Sequence, residues 1–414
     1  MLNRPVSLAA VVAAAALGLT ACGSDVGARD AAVGSSHTQD WGQVVDAAKG
    51  QQVNWYMWGG DPTLNQFVNG YLNERLRRYD ITINQVKIND TAEAIDTMLG
   101  EKQAGKTRDG SVDLVWVNGE NFATGKQAHL WACDWAEHLP NAKYVDFDDP
   151  AVALDFGVPV DGCEAVWQQA NSALVYNSQA LKAGDVASIE SLLAWAEEHP
   201  GRFTYPAPPD FTGSMAVRTL LYDTIGGPKE LTGPFEAKAY EDAAPRLWDR
   251  LNAIEPTLWR KGETYPQTQD QVEKMFSDGE IDAYFSYGPG AVGDKVSKGV
   301  FPTSTREAVL AGGNIANSSF VGIPANAAHD DAALVVANLL QDPQTQLELY
   351  KLEGTYPGID LSRATAAIRG QFDDVPLSPS VLPLDELLAN AQPELASDYV
   401  TRLERDWKSN VLQR

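Results

Sequence analysis

Acidic and aromatic residues stand beside glycines at several strand ends of this chain. Trp58, Gly60 and Asp61 follow one alternating apolar run, and Glu120, Asn121 and Phe122 follow another. Phe211 and Ser214 open a helix, Tyr287 ends a strand, Trp167 sits at a crossover, and Tyr356 follows Gly354 and Thr355. Aromatic faces stack on flat rings and attract cations. A carboxylate such as Asp61 or Glu120 would pair an ammonium or accept a hydrogen bond from a sugar hydroxyl. Glycines let a ligand approach the backbone closely. Helix N-termini near Pro62 and Ser214 would hold an anion. Each position also has a structural alternative. Trp58 and Trp116 would serve equally in a core, Asp61 before Pro62 is a helix cap, 210–214 is a cap and turn, and Tyr287 is core or surface.

Bond-breaking chemistry has no comparable pattern. The sequence holds no Gly-x-Ser-x-Gly elbow, no His-Glu-x-x-His and no phosphate loop. The chain is therefore expected not to be an enzyme and to need no cofactor. The rival from that class is a glycosidase, since two of its many carboxylates could meet across a cleft. A metal site is not expected, because His37, His129, His138, His199 and His329 show no ligand spacing with the cysteines. Tyr284 and Tyr287 are not adjacent, which suits a ferric ligand poorly. The formal net charge of −24 repels nucleic acid and anionic headgroups, so neither is expected as a partner. It leans toward cationic or neutral cargo.

The N-terminus addresses compartment. Arg4 precedes an apolar run from Val6 to Leu19, about 14 residues, where roughly 20 are needed to cross a bilayer. That length fits the apolar region of an export signal. Leu19-Thr20-Ala21-Cys22 closes it and resembles the bacterial lipobox, in which the cysteine is acylated and becomes the first residue of the mature chain. The alternative is a plain signal peptide with a chance cysteine. Residues 22–39, small and polar, read as a flexible tether. An exported chain meets an oxidising compartment, so the remaining Cys133 and Cys163 are expected to pair; two separate buried thiols are the alternative.

The elements that would position these residues alternate. The spacing predicts a short helix at 41–48, a strand at 52–58, a helix at 62–79, a strand at 81–88, a helix from a capping box at Asp90 to 103, and a strand at 112–117. After a helix-poor stretch at 156–166 come a strand at 172–177, a helix at 189–198, a strand at 202–205 and a helix from 213 to 225. A capping box at Thr268 opens a helix through 276. A strand at 281–286, a strand at 317–323, a helix at 330–340 and a last helix at 394–407 follow. Strands alternating with helices imply parallel sheets wrapped by helices, and 414 residues allow two domains or three.

Several segments carry a family resemblance. Ser318-Ser-Phe-Val-Gly-Ile-Pro324 reads like a strand returning from a second lobe to a first, with the helix at 327–340 and Asp342-Pro-Gln-Thr-Gln346 after it. The run 272–284, and Ala104-Gly105 followed by 112–119, are similar to segments of extracellular solute-binding proteins. Trp58-Gly-Gly-Asp-Pro62 and Trp116-Val-Asn-Gly-Glu-Asn-Phe122 most resemble the YnjB-like branch of that family. The resemblance covers nearly all of the mature chain. It implies an α/β, periplasmic-binding-protein-like (type II) fold: two lobes, each a mostly parallel sheet flanked by helices, joined by two hinge strands near 164–170 and 318–322. The boundaries that follow are 1–21 signal peptide, 22–39 tether, 40–165 first lobe, 166–317 second lobe, 318–378 return to the first lobe, and 379–414 a C-terminal helical segment. It further implies a lipoprotein outside the cell membrane, touching that membrane only through its anchor, which delivers a small solute to an ABC transporter permease; presentation to a sensor is the alternative. It transfers no ligand. The acid–aromatic strand ends leave cationic or aromatic amines and sugars both open.

Overall fold

The computed structural model describes residues 40–414 apart from 288, 384–385 and 388–389. The export signal, the tether and Cys22 lie outside the described residues. The strands are β1 (Gln52–Trp58), β2 (Thr82–Ile88), β3 (Leu114–Val117), β4 (Leu154–Asp155), β5 (Val158–Pro159), β6 (Glu164–Asn177), β7 (Ala283–Tyr287), β8 (Thr305–Ala308), β9 (Asn314–Gly322), β10 (Tyr356–Pro357) and β11 (Ala391–Gln392).

In β1, Val53, Trp55 and Met57 turn inward while their neighbours face outward or lie half-buried, the two-residue period of a strand with one buried face. β1 lies parallel to β2, in register from Gln52↔Thr82 to Trp58↔Ile88, and parallel to β3 on its other side. Parallel neighbours require crossovers. The first is a helical path over 62–79 that passes through a π-helical stretch at Phe67–Leu72; the second is the helix Ala92–Gln103. Trp55, Phe67, Leu72, Leu114 and the apolar helix Asp330–Leu340 form the first lobe's core.

β6 is 14 residues long and belongs to both lobes. It runs antiparallel to β9 from Glu164↔Gly322 to Asn171↔Ala316, with an irregularity between Val166 and Gln168. β9 pairs antiparallel with β3, which ties these two strands to the first lobe. Beyond Asn171, β6 pairs with β7 and β8 and becomes the spine of the second lobe. Two long strands thus pass between the lobes. The second lobe's core gathers the helices Phe211–Ile225 and Ala237–Ile254 and the C-terminal helix Ser397–Trp407.

Local differences from the expected elements have physical causes. Both β7 and β8 run antiparallel to β6; among the described residues, parallel pairing in this half is limited to β11 on β9 and a bridge between Phe203 and Ala283. The expected strand at 202–205 is only that bridge, because Pro206 has no amide hydrogen with which to extend a ladder. The helix Ala237–Ile254 contains Pro245, a residue that interrupts a helical reading. The C-terminal helix starts at Ser397, three residues later than its pattern, because Glu394 is drawn inward by a buried arginine. Cys133 and Cys163 are joined by a disulfide across 30 residues, fastening the segment around Trp131 to the base of β6.

Candidate functional site

The helix Gly119–Gln127 leaves the end of β3 through a backbone that only glycine adopts readily, Gly119 having φ +64°. Its N–H donates to both carboxylate oxygens of buried Asp155, at 2.9 and 2.8 Å. That anchor sets Glu120 in the first turn, half-buried, with half-buried Asn121 beside it. Burial raises the Glu120 pKa, and the charges of Asp90 and Glu394 add to the rise against Arg218.

The facing wall is the helix Phe211–Ile225. Asp210 caps it, accepting from the backbone N–H of Thr212 and Gly213. A Cβ at Gly213 would stand 2.2 Å from the Pro206 carbonyl oxygen, so glycine lets this helix start close against the chain before it. Ser214 and Arg218 are one turn apart on one face. Arg218 is buried and forked onto Glu394, with Nε to Oε2 at 2.8 Å and Nη2 to Oε1 at 3.0 Å. Its Nη1 donates to Ser214 Oγ at 2.7 Å, and Ser214 Oγ donates to Glu404 Oε1 at 2.6 Å. Tyr287 donates its hydroxyl to Glu394. Burial lifts the Glu404 pKa to about 7; the bond from Ser214 opposes the rise, and Glu120 and Asp90 add to it. Glu120, Glu394 and Glu404 therefore gather around one arginine, with the charge of Asp90 acting on Glu120 and Glu404, and the region is electronegative.

Phe211 adds aromatic surface beside it. Phe211 is 40% exposed, with its ring 5.1 Å from Tyr287 and 6.4 Å from Phe156. Trp58, on the first lobe, is also 40% exposed. A Cβ at Gly60 would fall 2.1 Å from the Trp58 ring, so the indole lies across that glycine. Asp61 caps the helix Pro62–Gln66 through the N–H groups of Thr63 and Leu64.

Other expected contacts are placed differently. Trp167 is wholly enclosed in the first lobe, edge-on to Trp55 at 5.5 Å and to Trp116 at 5.2 Å, so its ring offers no face to a solute. Phe122 is also enclosed, three residues into its helix and turned inward to stack on Trp131 at 6.2 Å. Tyr356 is buried, but it lines a cavity of about 260 Å³ together with Tyr350, Gly293 and Ser378. Ser214 is buried and meets the site through Glu404 and Arg218. Asp155, Phe156, Arg218, Glu394 and Glu404 were missed by sequence reasoning. Only the Ser214–Arg218 helical spacing signalled any of them, because the other contacts join residues 36 to 190 positions apart.

Where the hinge strands cross, buried Gln168, Asn171, Asn314, Asn317 and Ser318 each leave a side-chain polar atom without a hydrogen-bond partner. Buried polar groups are ordinarily satisfied, so this floor has capacity for water or for polar groups of a solute. Among the described residues no cluster of His, Cys, Asp and Glu could hold a metal ion, and no helix is long and apolar enough to cross a membrane.

A family model described as bacterial extracellular solute-binding protein matches residues 71–370. Protein YnjB of Escherichia coli (strain K12) is 34% identical over 384 residues, 90% of this chain and 94% of that protein. An ABC transporter substrate-binding protein from Bradyrhizobium japonicum USDA 110 superposes with a TM-score of 0.63 at 19% identity, covering 87% of this chain and 99% of its own. The spermidine/putrescine ABC transporter substrate-binding protein PotD from Streptococcus pneumoniae superposes with a TM-score of 0.61 at 12% identity, covering 87% and 99%. At such identities the two structures speak for the two-lobe fold.

Proposed function

Because the chain belongs to the bacterial extracellular solute-binding protein family, we propose that it captures a small cationic solute between its lobes and hands it to an ABC transporter permease, without chemistry of its own. The carrying observation is the electronegative junction. Glu120 comes from the first lobe, Glu404 from the C-terminal helix packed against it, and burial makes both carboxylates costly to keep charged and unpaired. Arg218 offsets them only in part, since its guanidinium is forked onto Glu394. A solute ammonium would offset their repulsion, and the exposed faces of Phe211 and Trp58 suit its apolar or aromatic part. Contacts from both lobes would supply the differential affinity that favours closure. Acylation at Cys22 would keep the protein at the outer face of the membrane.

A sugar is the second reading, favoured by the unsatisfied amides and hydroxyl of the hinge floor. Calorimetry against polyamines, thiamine-like cations and sugars separates the two. The expected result is binding of a cation that weakens about tenfold or more in Glu120→Gln, a loss of roughly 1.4 kcal/mol. Binding of sugars alone, or cation binding indifferent to Glu120, would overturn the cationic reading.

A further inference from the structure

The short hairpin made by β4 and β5 is held by both lobes at once. Its root belongs to the first lobe, where Val152 and Val160 are buried with Val145, Val166 and Phe320. Asp155 grips the Gly119 N–H with both oxygens. The next residue goes the other way. Phe156 has φ +44°, a left-handed backbone that disfavours a bulky side chain, and its ring is seated in the second lobe's core cluster. It lies 5.6 Å from the Arg218 guanidinium carbon. Its carbonyl accepts from the Ser397 N–H of the C-terminal helix at 3.1 Å. Gly157, at φ +74°, leaves no room for more, since a Cβ there would stand 3.0 Å from the Ala396 Cβ. The Phe156 ring also lies against Gly119, where an added Cβ would stand 3.5 Å from it, so this one side chain bridges the lobes while Asp155 is fixed to the first.

We propose that this hairpin is an interlobe latch: Phe156 seats in the second lobe and holds the lobes together without a solute. Neither through-running strand does this, because a strand permits bending about itself, whereas a ring in a core must be withdrawn before the lobes part. Solute entry then requires Phe156 to leave, and a bound solute reaching Glu120 and Phe211 would favour its return. The inference rests on the capture reading only for that consequence. Its test uses no solute, so failure of the latch and failure of solute capture are distinguishable.

Small-angle scattering and hydrogen exchange on the full chain, wild type against Phe156→Ala, make the test. The latch predicts a larger radius of gyration and at least tenfold faster exchange at the Ser397 amide. The amides of β1 should keep their protection, because the first lobe's own core is untouched. Gly157→Ala should act the same way by steric exclusion, without removing apolar surface. An unchanged radius and an unchanged Ser397 amide in both variants would overturn the latch. So would loss of β1 protection in both, since a latch is dispensable to the first lobe's own core.

Discussion

Arg218 and Glu394 are paired out of reach of water, at 1% and 4% side-chain exposure. Two buried charges are dear to desolvate, and removing one strands the other. Glu394→Leu is expected to cost about 3–5 kcal/mol in denaturant unfolding, with much of it recovered in the Arg218→Met/Glu394→Leu double variant. Asp155 is the second case. Burial lifts its pKa from 3.8 to about 8, against the bond from Gly119. Between those two values the folded state keeps a proton that the unfolded chain has released. Its contribution to stability therefore falls as pH rises across that window, and Asp155→Asn should flatten the decline of melting temperature with pH. Asp61 is placed as a cap, and Asn caps as well as Asp. Asp61→Asn should change stability by only a few tenths of a kcal/mol and leave cation binding intact; a tenfold weaker affinity would make Asp61 a contact.

At the level of elements, strong periodicity translated directly into structure. The helices Ile189–Glu198 and Asp330–Leu340 and the strand β1 lie where their apolar spacing placed them. The Thr268 box is present in part: its hydroxyl accepts from the Gln271 N–H, while the Gln271 side chain accepts from Gln267. Thr268→Ala should cost about 1 kcal/mol, read in denaturant unfolding. Pairing partners were less legible. Strand composition carries no direction, so β7 and β8 were open to the antiparallel arrangement they take on β6. Burial of single aromatics was also open. Trp58, Phe122 and Trp167 look alike in sequence, yet one is half-open and two are enclosed, because among the described residues only the latter have aromatic partners brought to them by other strands and loops.

The whole molecule is two sheet-based lobes sharing β6 and β9, with a C-terminal helix that belongs to the second lobe's core and touches the first. The Cys133–Cys163 bridge closes a loop across 30 residues, and its loss in Cys133→Ser/Cys163→Ser should cost roughly 3–4 kcal/mol, measured by unfolding under non-reducing conditions. Sequence alone determined the alternation of strands and helices, the hinge strands and the family, because each is written in local periodicity or in short contiguous motifs. Tertiary structure alone decided the site's charge. Glu394 and Glu404 lie far along the chain from Glu120 and Ser214, and only the docking of the last helix brings their carboxylates to one arginine. Electrostatics depends on distance in space, and a linear chain does not carry that distance until its cores have packed.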